Sequence, residues 1–351
     1  MINSINNAKR RGGNRGVLAA AADLMNIGEP FALAIVTGTQ GSTYRKSGAL
    51  ALYSQQGASH SVISGGCLEP QWHNIAATVI ADHQAVSLTL DTQTDDDLIF
   101  GSGSGCRGLM RIMIIPVHPD NAHPAYSAIA ESHQQGIPLR MMLMLDQPYC
   151  GQGLAWNGNK QWAFSDHANV LKNRQQVDSG EHQIQLRHGK SSTIAVLDIR
   201  PAPRIALIGA SVETTCLLRF TQSLGWQVTV IDHRAAPLQK LEQDADEIVH
   251  ARPAEWLNKA NRQSFDAVLI MSHSASIDLE ALRAVSMHSE PYVGLLGPPA
   301  RRDELLAQLT EQQRQALLPR LHAPLGLRLG GDGPEPLALS IAAELQRTFS
   351  Q

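Results

Sequence analysis

The 351-residue chain is 43% hydrophobic and carries a formal net charge of -3, from 29 Lys and Arg against 32 Asp and Glu. The charges are interspersed, which argues against a nucleic-acid-binding protein, and no apolar run approaches the roughly 18 residues that span a bilayer. Four widely spaced cysteines without a CxxC pair favour neither a disulfide framework nor structural zinc. The sequence therefore predicts a cytoplasmic, two-domain protein that acts on a small molecule or another protein.

The first third of the chain predicts a mixed α+β domain. Apolar residues at helical spacing over 16–28 predict a helix that ends at Gly28, and 31–38 has the length and apolarity of a buried strand. Further elements follow in order: hairpin strands at 49–54 and 61–66, a helix at 68–84, and strands at 85–91 and 109–117.

The segment 38–48 (GTQGSTYRKSG) combines three glycines with hydroxyls and two cations. This composition suits an oxyanion nest, because backbone NH groups and hydroxyls donate hydrogen bonds while Arg45 and Lys46 neutralise charge. A solvated turn is the alternative interpretation.

Two other glycine-rich segments, 63–70 (ISGGCLEP) and 101–108 (GSGSGCRG), each contain a cysteine. Glycines let a ligand approach the backbone where any Cβ would hold it away. Cys67 precedes a predicted helix and Cys106 precedes Arg107, and both settings lower the pKa of a thiol. The alternative for Cys67 is a small buried residue that packs the turn. The acidic run at 95–97 lacks the ligand spacing of a calcium loop and is interpreted as a solvated turn.

The stretch 120–201 is less informative. It predicts a helix at 122–135, strands at 139–145, 183–188 and 193–198, a hairpin around 157–160 and a short helix near Asn169. Cys150 has no partner motif and is interpreted as structural. The proline-rich run 200–204 is interpreted as a linker. The predicted domains are 1–200, glycine- and cysteine-rich with an α+β extension, and 203–351.

After residue 203, apolar strands alternate with amphipathic helices. This alternation predicts an α/β fold with a Rossmann-like, doubly wound parallel sheet covered on both faces. In the last helix, which starts at Pro334, the apolar stripe of Leu337, Ile341, Leu345 and Phe349 predicts docking onto this sheet.

The predicted Rossmann-like domain raises the question of a nicotinamide cofactor. Gly209 lies at the first strand-to-helix turn, and Asp232 lies where a ribose-binding acid belongs. However, Ser211 and Thr214 replace the second and third glycines of the fingerprint, and Glu213 adds negative charge where the phosphates would lie. The sequence therefore predicts the fold without an NAD(P) cofactor.

Five segments resemble, in the same order, signature segments of the xanthine dehydrogenase accessory protein family. They are GSTYRKSGA (41–49), ISGGCLE (63–69), DDLIFGSGSGC (96–106), YVGLLG (292–297) with a nearby Arg pair, and APLGLRLGGDGPEPLALSIAAEL (323–345). The chain also resembles the related carbon monoxide dehydrogenase maturation proteins. It departs from the family pattern at Arg107, at Ser211 and Val212, at Ser272 and over 297–302, mainly in the C-terminal half.

The resemblance implies a maturation chaperone rather than an enzyme. Such a protein binds molybdenum cofactor (molybdopterin, in its mononucleotide or dinucleotide form), protects it around terminal sulfuration and inserts it into an apo molybdenum hydroxylase. A homodimer that contacts a cysteine desulfurase is also implied.

The residues expected to contact the cofactor are Gly41, Ser42, Arg45, Gly48, Gly65, Gly66, Cys67, Glu69, Gly103, Gly105, Cys106 and Arg107. Because thiolate is a soft ligand, Cys67 and Cys106 are the candidates for contact with molybdenum or for sulfur handling. Two rival functions are an NAD(P)-dependent oxidoreductase that uses the C-terminal domain and a sulfurtransferase that carries a persulfide.

Overall fold

The chain forms two compact units, Met1–Ala202 and Pro203–Gln351. The computed structural model describes residues 11–64, 68–91, 108–172, 175–186, 190–259 and 263–350. Within these ranges, no helix combines the length and apolar character needed to cross a membrane.

The first sheet of the N-terminal unit is antiparallel and contains five described strands in the order β3-β2-β1-β5-β4. The strands are β1 (Phe31–Gly41), β2 (Leu50–Ser54), β3 (Ser59–His60), β4 (Val86–Asp91) and β5 (Gly108–Val117). β1 pairs with β5 from Phe31 opposite Val117 to Gly41 opposite Gly108, with one irregularity between Val36 and Gly38. This pairing carries β1 beyond its predicted end at residue 38.

A second antiparallel sheet in the same unit has five described strands in the order β8-β7-β6-β10-β9. They are β6 (Leu139–Met144), β7 (Gly153–Trp156), β8 (Gln161–Phe164), β9 (Gly180–Gln185) and β10 (Ser191–Ile199). Alternate side chains of a strand point to opposite faces. Leu33 of β1 and Leu197 of β10 accordingly share one core, so the two sheets pack face to face.

Four described helices cover these sheets: α1 (Gly13–Ile27), α2 (Glu69–Asp82), α3 (Pro124–Gln135) and α4 (Ala168–Lys172). As predicted, α1 ends at Gly28, which adopts a φ of 75° and donates its NH to the carbonyls of Leu24 and Met25. Trp72 and Ile80 of α2 bury against Ala34 and other residues on the outer face of the first sheet.

The C-terminal unit contains six described parallel strands in the order β13-β12-β11-β14-β15-β16. They are β11 (Arg204–Ile208), β12 (Gln227–Asp232), β13 (Glu247–His250), β14 (Ala267–Ile270), β15 (Val293–Leu295) and β16 (Leu321–His322). This is the strand order of a doubly wound dinucleotide-binding fold, which reverses between β11 and β14. The predicted Rossmann-like sheet is therefore confirmed.

Helices lie on both faces of this sheet. They are α5 (Val212–Leu224), α6 (Ala235–Gln239), α7 (Pro253–Leu257), α8 (Ala275–Val285), α9 (Pro299–Ala307), α10 (Glu311–Leu317) and α11 (Pro334–Phe349). Leu207 packs in one core with residues of α5 and α11, whereas its neighbour Ile208 packs in a second core with residues of α8. Ile341 and Leu345 of α11 are fully buried, so the predicted docking of the last helix is confirmed.

The predicted strand at 61–66 is wrong for the residues that the structure describes. β3 comprises only Ser59–His60, and 61–64 forms no strand. Ser61 adopts a left-handed φ of 66°, which turns the chain out of the ladder. Its hydroxyl and the carbonyl of Val62 accept hydrogen bonds from Arg45 instead of pairing with β2.

Candidate functional site

The structure describes five of the twelve residues expected to contact a cofactor. These are Gly41, Ser42, Arg45, Gly48 and Glu69. The others lie outside the described residues: Gly65, Gly66, Cys67, Gly103, Gly105, Cys106 and Arg107. The described residues that flank the glycine-rich segments therefore define the geometry of the site.

Arg45 is bonded within the protein rather than extended into solvent. Its Nη1 donates to Ser61 Oγ at 2.7 Å and to the carbonyl of Val62 at 3.3 Å, and its Nη2 donates to the carbonyl of Leu50 at 3.5 Å. Burial lowers the pKa of its guanidinium below the ordinary value. Arg45 thus holds the chain just before 65–67, so its main described role is positioning.

Glu69 is held in place by a hydrogen bond from the first sheet. The hydroxyl of Tyr53 on β2 donates to Glu69 Oε2 at 3.1 Å, at the start of α2. Burial, and then the neighbouring carboxylate, raises the pKa of Tyr53, so the phenol keeps its proton. The second oxygen of Glu69 is buried and has no hydrogen-bond partner among the described residues. The start of α2 is therefore tied to the first sheet.

Gly41 and Ser42 lie beside the start of β5. Gly41 is opposite Gly108, and a Cβ on Gly108 would overlap the carbonyl of Ser42. Ser42 of the segment 38–48 therefore lies against Gly108, the last residue of the segment 101–108. With the Arg45 contacts, described residues next to all three glycine-rich segments meet near the end of β1.

Next to these contacts is a depression of about 410 Å³, termed here the basic depression. It is lined by Asn14, Arg45, Lys46, Ser47, Gly48, Ala49, Asp198 and Arg200. Lys46 is exposed and makes one long hydrogen bond, to Thr43 Oγ1 at 3.5 Å. Arg200 is exposed. Asp198 lies 3.8 Å from Arg140 and accepts from Ser179 at 2.9 Å, so its charge is partly compensated and the depression is basic.

Gly48 lies where residues 45–49 approach the end of β10, the two segments that supply most of the lining of the basic depression. Its φ is 84°, and a Cβ there would lie 2.7 Å from the carbonyl oxygen of Asp198 on β10. Asn14 of α1 fixes the same turn, because its amide donates to the carbonyl of Gly48 at 2.8 Å and accepts from the NH of Leu50 at 3.0 Å. Sequence reasoning missed Asn14 and Arg200, since both are far from residues 38–48 in the chain.

The C-terminal edge of the parallel sheet is arranged differently. Asp232 is buried, and its carboxylate accepts from the NH of Ala210 at 2.8 Å and from Arg234 Nη2 at 2.7 Å. Burial alone would raise the pKa of Asp232, but the hydrogen bonds from Arg234 and Ala210 lower it on balance. The Asp232 carboxylate, which would bind the ribose of a dinucleotide, is therefore already paired with Arg234.

The first turn of α5 also carries its own anion. Ser211 caps the helix, and Glu213 in that turn lies 3.3 Å from Nε2 of His273. Burial would raise the pKa of Glu213, but the Ser211 hydroxyl, its own backbone NH and His273 lower it on balance. A carboxylate of the chain thus occupies the helix end that a pyrophosphate would need.

The Arg pair near β15 is structural in the same way. Arg301 Nη2 donates to Asp278 Oδ2 at 2.6 Å, and the hydroxyl of Ser272 donates to the other oxygen. Arg302 donates to the carbonyl of Ala323 at 3.1 Å. Cys216 of α5 is buried in the core. Across the described ranges, no group of His, Cys, Asp and Glu is arranged to hold a metal ion.

Two family models match the chain. Residues 24–91 match a model described as the XdhC and CoxI family, and residues 205–345 match one described as the XdhC Rossmann domain.

Individual proteins resemble the chain over different lengths. It is 26% identical over 328 residues to a probable xanthine dehydrogenase subunit of Bacillus subtilis, and the match covers 93% of this chain and 95% of that one. It is 27% identical over 146 residues to the uncharacterized protein YqeB of Escherichia coli, 41% of this chain and 27% of that protein.

A crystal structure from Bacillus halodurans, described as a xanthine dehydrogenase, has the same fold. It superposes with a TM-score of 0.76 at 24% identity, over 95% of both chains.

Proposed function

Since the chain belongs to the xanthine dehydrogenase accessory protein family, we propose that it matures a xanthine dehydrogenase. It binds molybdenum cofactor as cargo, protects it and inserts it into the apo enzyme, a molybdenum hydroxylase. The description of the B. subtilis relative as part of a probable xanthine dehydrogenase supports a partner of this kind. The protein works as a homodimer and receives the cofactor around its sulfuration by a cysteine desulfurase.

The observation that supports this function most is that described residues in or next to the three glycine-rich segments contact one another close to the basic depression. Gly108 contacts Ser42, Arg45 bonds to Ser61 and Val62, and Arg45 itself lines the depression. A ligand with one anionic end and one end that interacts with thiols suits such a neighbourhood. Molybdenum cofactor has both, as a phosphate and a dithiolene-bound metal.

The described residues fit the phosphate end. Lys46 and Arg200 are exposed cations that line the basic depression from two different segments of the chain, and two cations satisfy a phosphate better than one. The partly compensated charge of Asp198 leaves the walls basic overall. Cys67 and Cys106 are proposed for the metal or sulfur end because thiolate is a soft ligand.

The test is cofactor retention. The full-length protein is purified after co-expression with its partner enzyme, and bound pterin and molybdenum are measured together with activation of that enzyme. We expect Lys46→Ala/Arg200→Ala to retain about tenfold less cofactor, because two charge-assisted hydrogen bonds are lost. Lys172→Ala/Lys190→Ala is the matched control, since it removes the same charge from exposed positions of the same unit. Equal retention by the two double variants would contradict the proposal for the basic depression.

The thiols are tested separately. We expect Cys67→Ala/Cys106→Ala to lose cofactor retention and activation of the partner, and unchanged values would remove the thiols from the proposal. A persulfide on either cysteine after incubation with desulfurase and cysteine, detected as the added mass of one sulfur atom, would favour the sulfurtransferase alternative. Chaperone and sulfurtransferase roles are compatible.

The oxidoreductase alternative makes a different prediction. In this case the C-terminal sheet would bind NADH or NADPH, although Asp232 is paired with Arg234 and Glu213 fills the helix end. Equilibrium titration with both nucleotides separates the two functions. Low-micromolar binding would favour the enzyme, and weak binding supports the chaperone.

A further inference from the structure

A second pocket, of about 440 Å³, opens in the N-terminal unit and shares no residue with the basic depression. It lies where β4 begins, β5 ends and β6 connects to β7, and its size falls within the range of small-molecule sites. Asp, Glu, Lys and Arg are absent from its described lining. Among the residues that line it are Pro116, His123, Gln147, Pro148, Cys150 and Phe164.

His123 supplies a hydrogen-bond donor to this pocket. Its Nδ1 accepts from the NH of Ala125 at 3.2 Å, which caps α3 and leaves the ring proton on Nε2. Burial lowers the pKa of His123 to about 4, so the ring is neutral near pH 7. No bond of Nε2 to any other described residue accompanies this cap. His123 therefore lines the pocket with a neutral, fixed ring whose N–H lies on Nε2, close to the lining residue Gly151.

Gln147 supplies the matching acceptor. Its Nε2 donates to the carbonyl of Ala85 at 3.1 Å, which fixes the orientation of the amide. The Oε1 atom is then available to accept a hydrogen bond. His123 and Gln147 thus contribute a donor and an acceptor to the pocket from different elements.

Cys150 adds no charge to the pocket. Cys150 directs its Sγ toward Met113 Sδ at 3.6 Å, and burial raises the pKa of its thiol to about 11. It therefore remains a thiol near pH 7. Phe164 and the prolines provide flat apolar surfaces, which suit the faces of a planar ring.

We propose that this pocket binds an uncharged nitrogen heterocycle that carries a lactam, the chemistry shared by oxopurines and pterins. The lactam carbonyl accepts from His123 Nε2, and the lactam N–H donates to Gln147 Oε1. A charged ligand would lose its hydration without gaining a counter-charge. A hydrocarbon ring would leave both polar groups unpaired, which costs free energy.

The test uses the full-length protein and titration calorimetry at a pH where the ligands are neutral. Hypoxanthine represents the oxopurines and unsubstituted pterin the pterins, and benzimidazole is a two-ring control without a lactam. We expect at least one lactam ligand to bind about tenfold or more tightly than benzimidazole, because only the lactam satisfies both polar groups. Binding of one lactam ligand and not the other identifies the source. Equal affinity for benzimidazole, or no lactam binding at millimolar concentration, overturns the proposal.

His123→Asn gives the sharpest variant. Asn is a strong N-cap residue and preserves the cap of α3, but it lacks the Nε2–H donor. We expect its affinity for the lactam ligand to fall about tenfold with an unchanged melting temperature. His182→Asn is the control, since His182 is a partly buried histidine on β9 that does not line the pocket. Unchanged affinity in His123→Asn overturns the proposal.

A spectroscopic readout covers the case in which the variant is unstable. The ring Cε1–H signal of His123 in the unmodified protein is assigned by its through-space coupling to the Phe164 ring, whose centroid lies 5.9 Å away, and we expect it to shift on addition of the bound lactam ligand. Binding that leaves this signal unchanged contradicts the assignment of the site. The inference does not rest on the proposed function, because Lys46→Ala/Arg200→Ala should leave lactam binding unaltered.

Discussion

The basic depression and the C-terminal edge of the parallel sheet both have the sequence features of an anion site, but they differ in how their charges are paired. At the sheet edge, Asp232 is bonded to Arg234 and Asp278 to Arg301, within the chain. In the basic depression, Lys46 makes one long hydrogen bond to Thr43 and is otherwise exposed. A charge with an internal partner supports the fold, whereas an exposed charge beside a concave surface can serve a ligand.

The largest effect expected from this comparison is at Asp278. The side chain is 1% exposed and pairs with Arg301, so Asp278→Ala leaves a largely buried cation without its partner. We expect the free energy of unfolding of the C-terminal unit to fall by about 3–5 kcal/mol. Hydrogen exchange of the amides of β11 and β14 in increasing urea measures this loss, because these amides report on the C-terminal unit alone.

Asp303→Ala is the matched control for Asp278→Ala. Asp303 also pairs with an arginine, Arg302, but its side chain is 64% exposed. We expect a change of about 0–1 kcal/mol, because water screens an exposed pair. Similar losses in the two variants would show that pairing at the sheet edge is not what stabilises it.

Substitution of the neighbours Arg45 and Lys46 should affect different properties, stability for Arg45 and cofactor retention for Lys46. Arg45→Met removes the donors to Ser61 and Val62, and we expect it to lower the unfolding free energy by about 1.5–3 kcal/mol. Lys46→Met should leave stability within about 0.5 kcal/mol and weaken cofactor retention instead. Urea midpoints and bound molybdenum are measured for both. A stable Arg45→Met variant would mean that the guanidinium does not hold the 61–64 segment.

The smallest effect is at Glu213, and it depends on pH. Its pKa lies below the ordinary value of 4.5, so its stabilisation is present above that pH and is lost as pH falls through the folded-state pKa. Because His273 is half exposed, we expect Glu213→Gln to cost only about 0.5–1 kcal/mol near pH 7. The difference in urea midpoint from wild type should vanish in acid. A cost that grows as pH falls would contradict this account.

The sequence was sufficient for elements whose apolar pattern is regular. The alternation of strands and helices after residue 203 predicted the doubly wound sheet, because a strand buried on both faces must be apolar at successive positions, as Leu207 and Ile208 are. The strand predicted at 61–66 was wrong over the described residues 61–64, because composition does not reveal that Ser61 turns into the left-handed region. A side-chain interaction with Arg45 outweighed the local strand preference there.

The candidate site was predicted in part. The glycine-rich segments were identifiable from composition, but their proximity depends on long-range pairing such as Gly41 with Gly108. Arg200 and Asn14 were missed because only folding brings them to residues 46–48. The pairing of Asp232 was predictable from the local sequence, since its partner Arg234 follows two residues later.

The close approach at Gly48 has a mechanical consequence. The backbone of Gly48 lies close to that of Asp198 on β10. Lys46, between β1 and β2 of the first sheet, and Arg200, directly after β10 of the second sheet, therefore line the same depression. An anion bound by both cations would link the two sheets and would oppose their separation. Binding of the proposed cofactor should therefore slow amide exchange in β10 and protect the N-terminal unit from proteases, so that the protein is most stable in its cofactor-bound state.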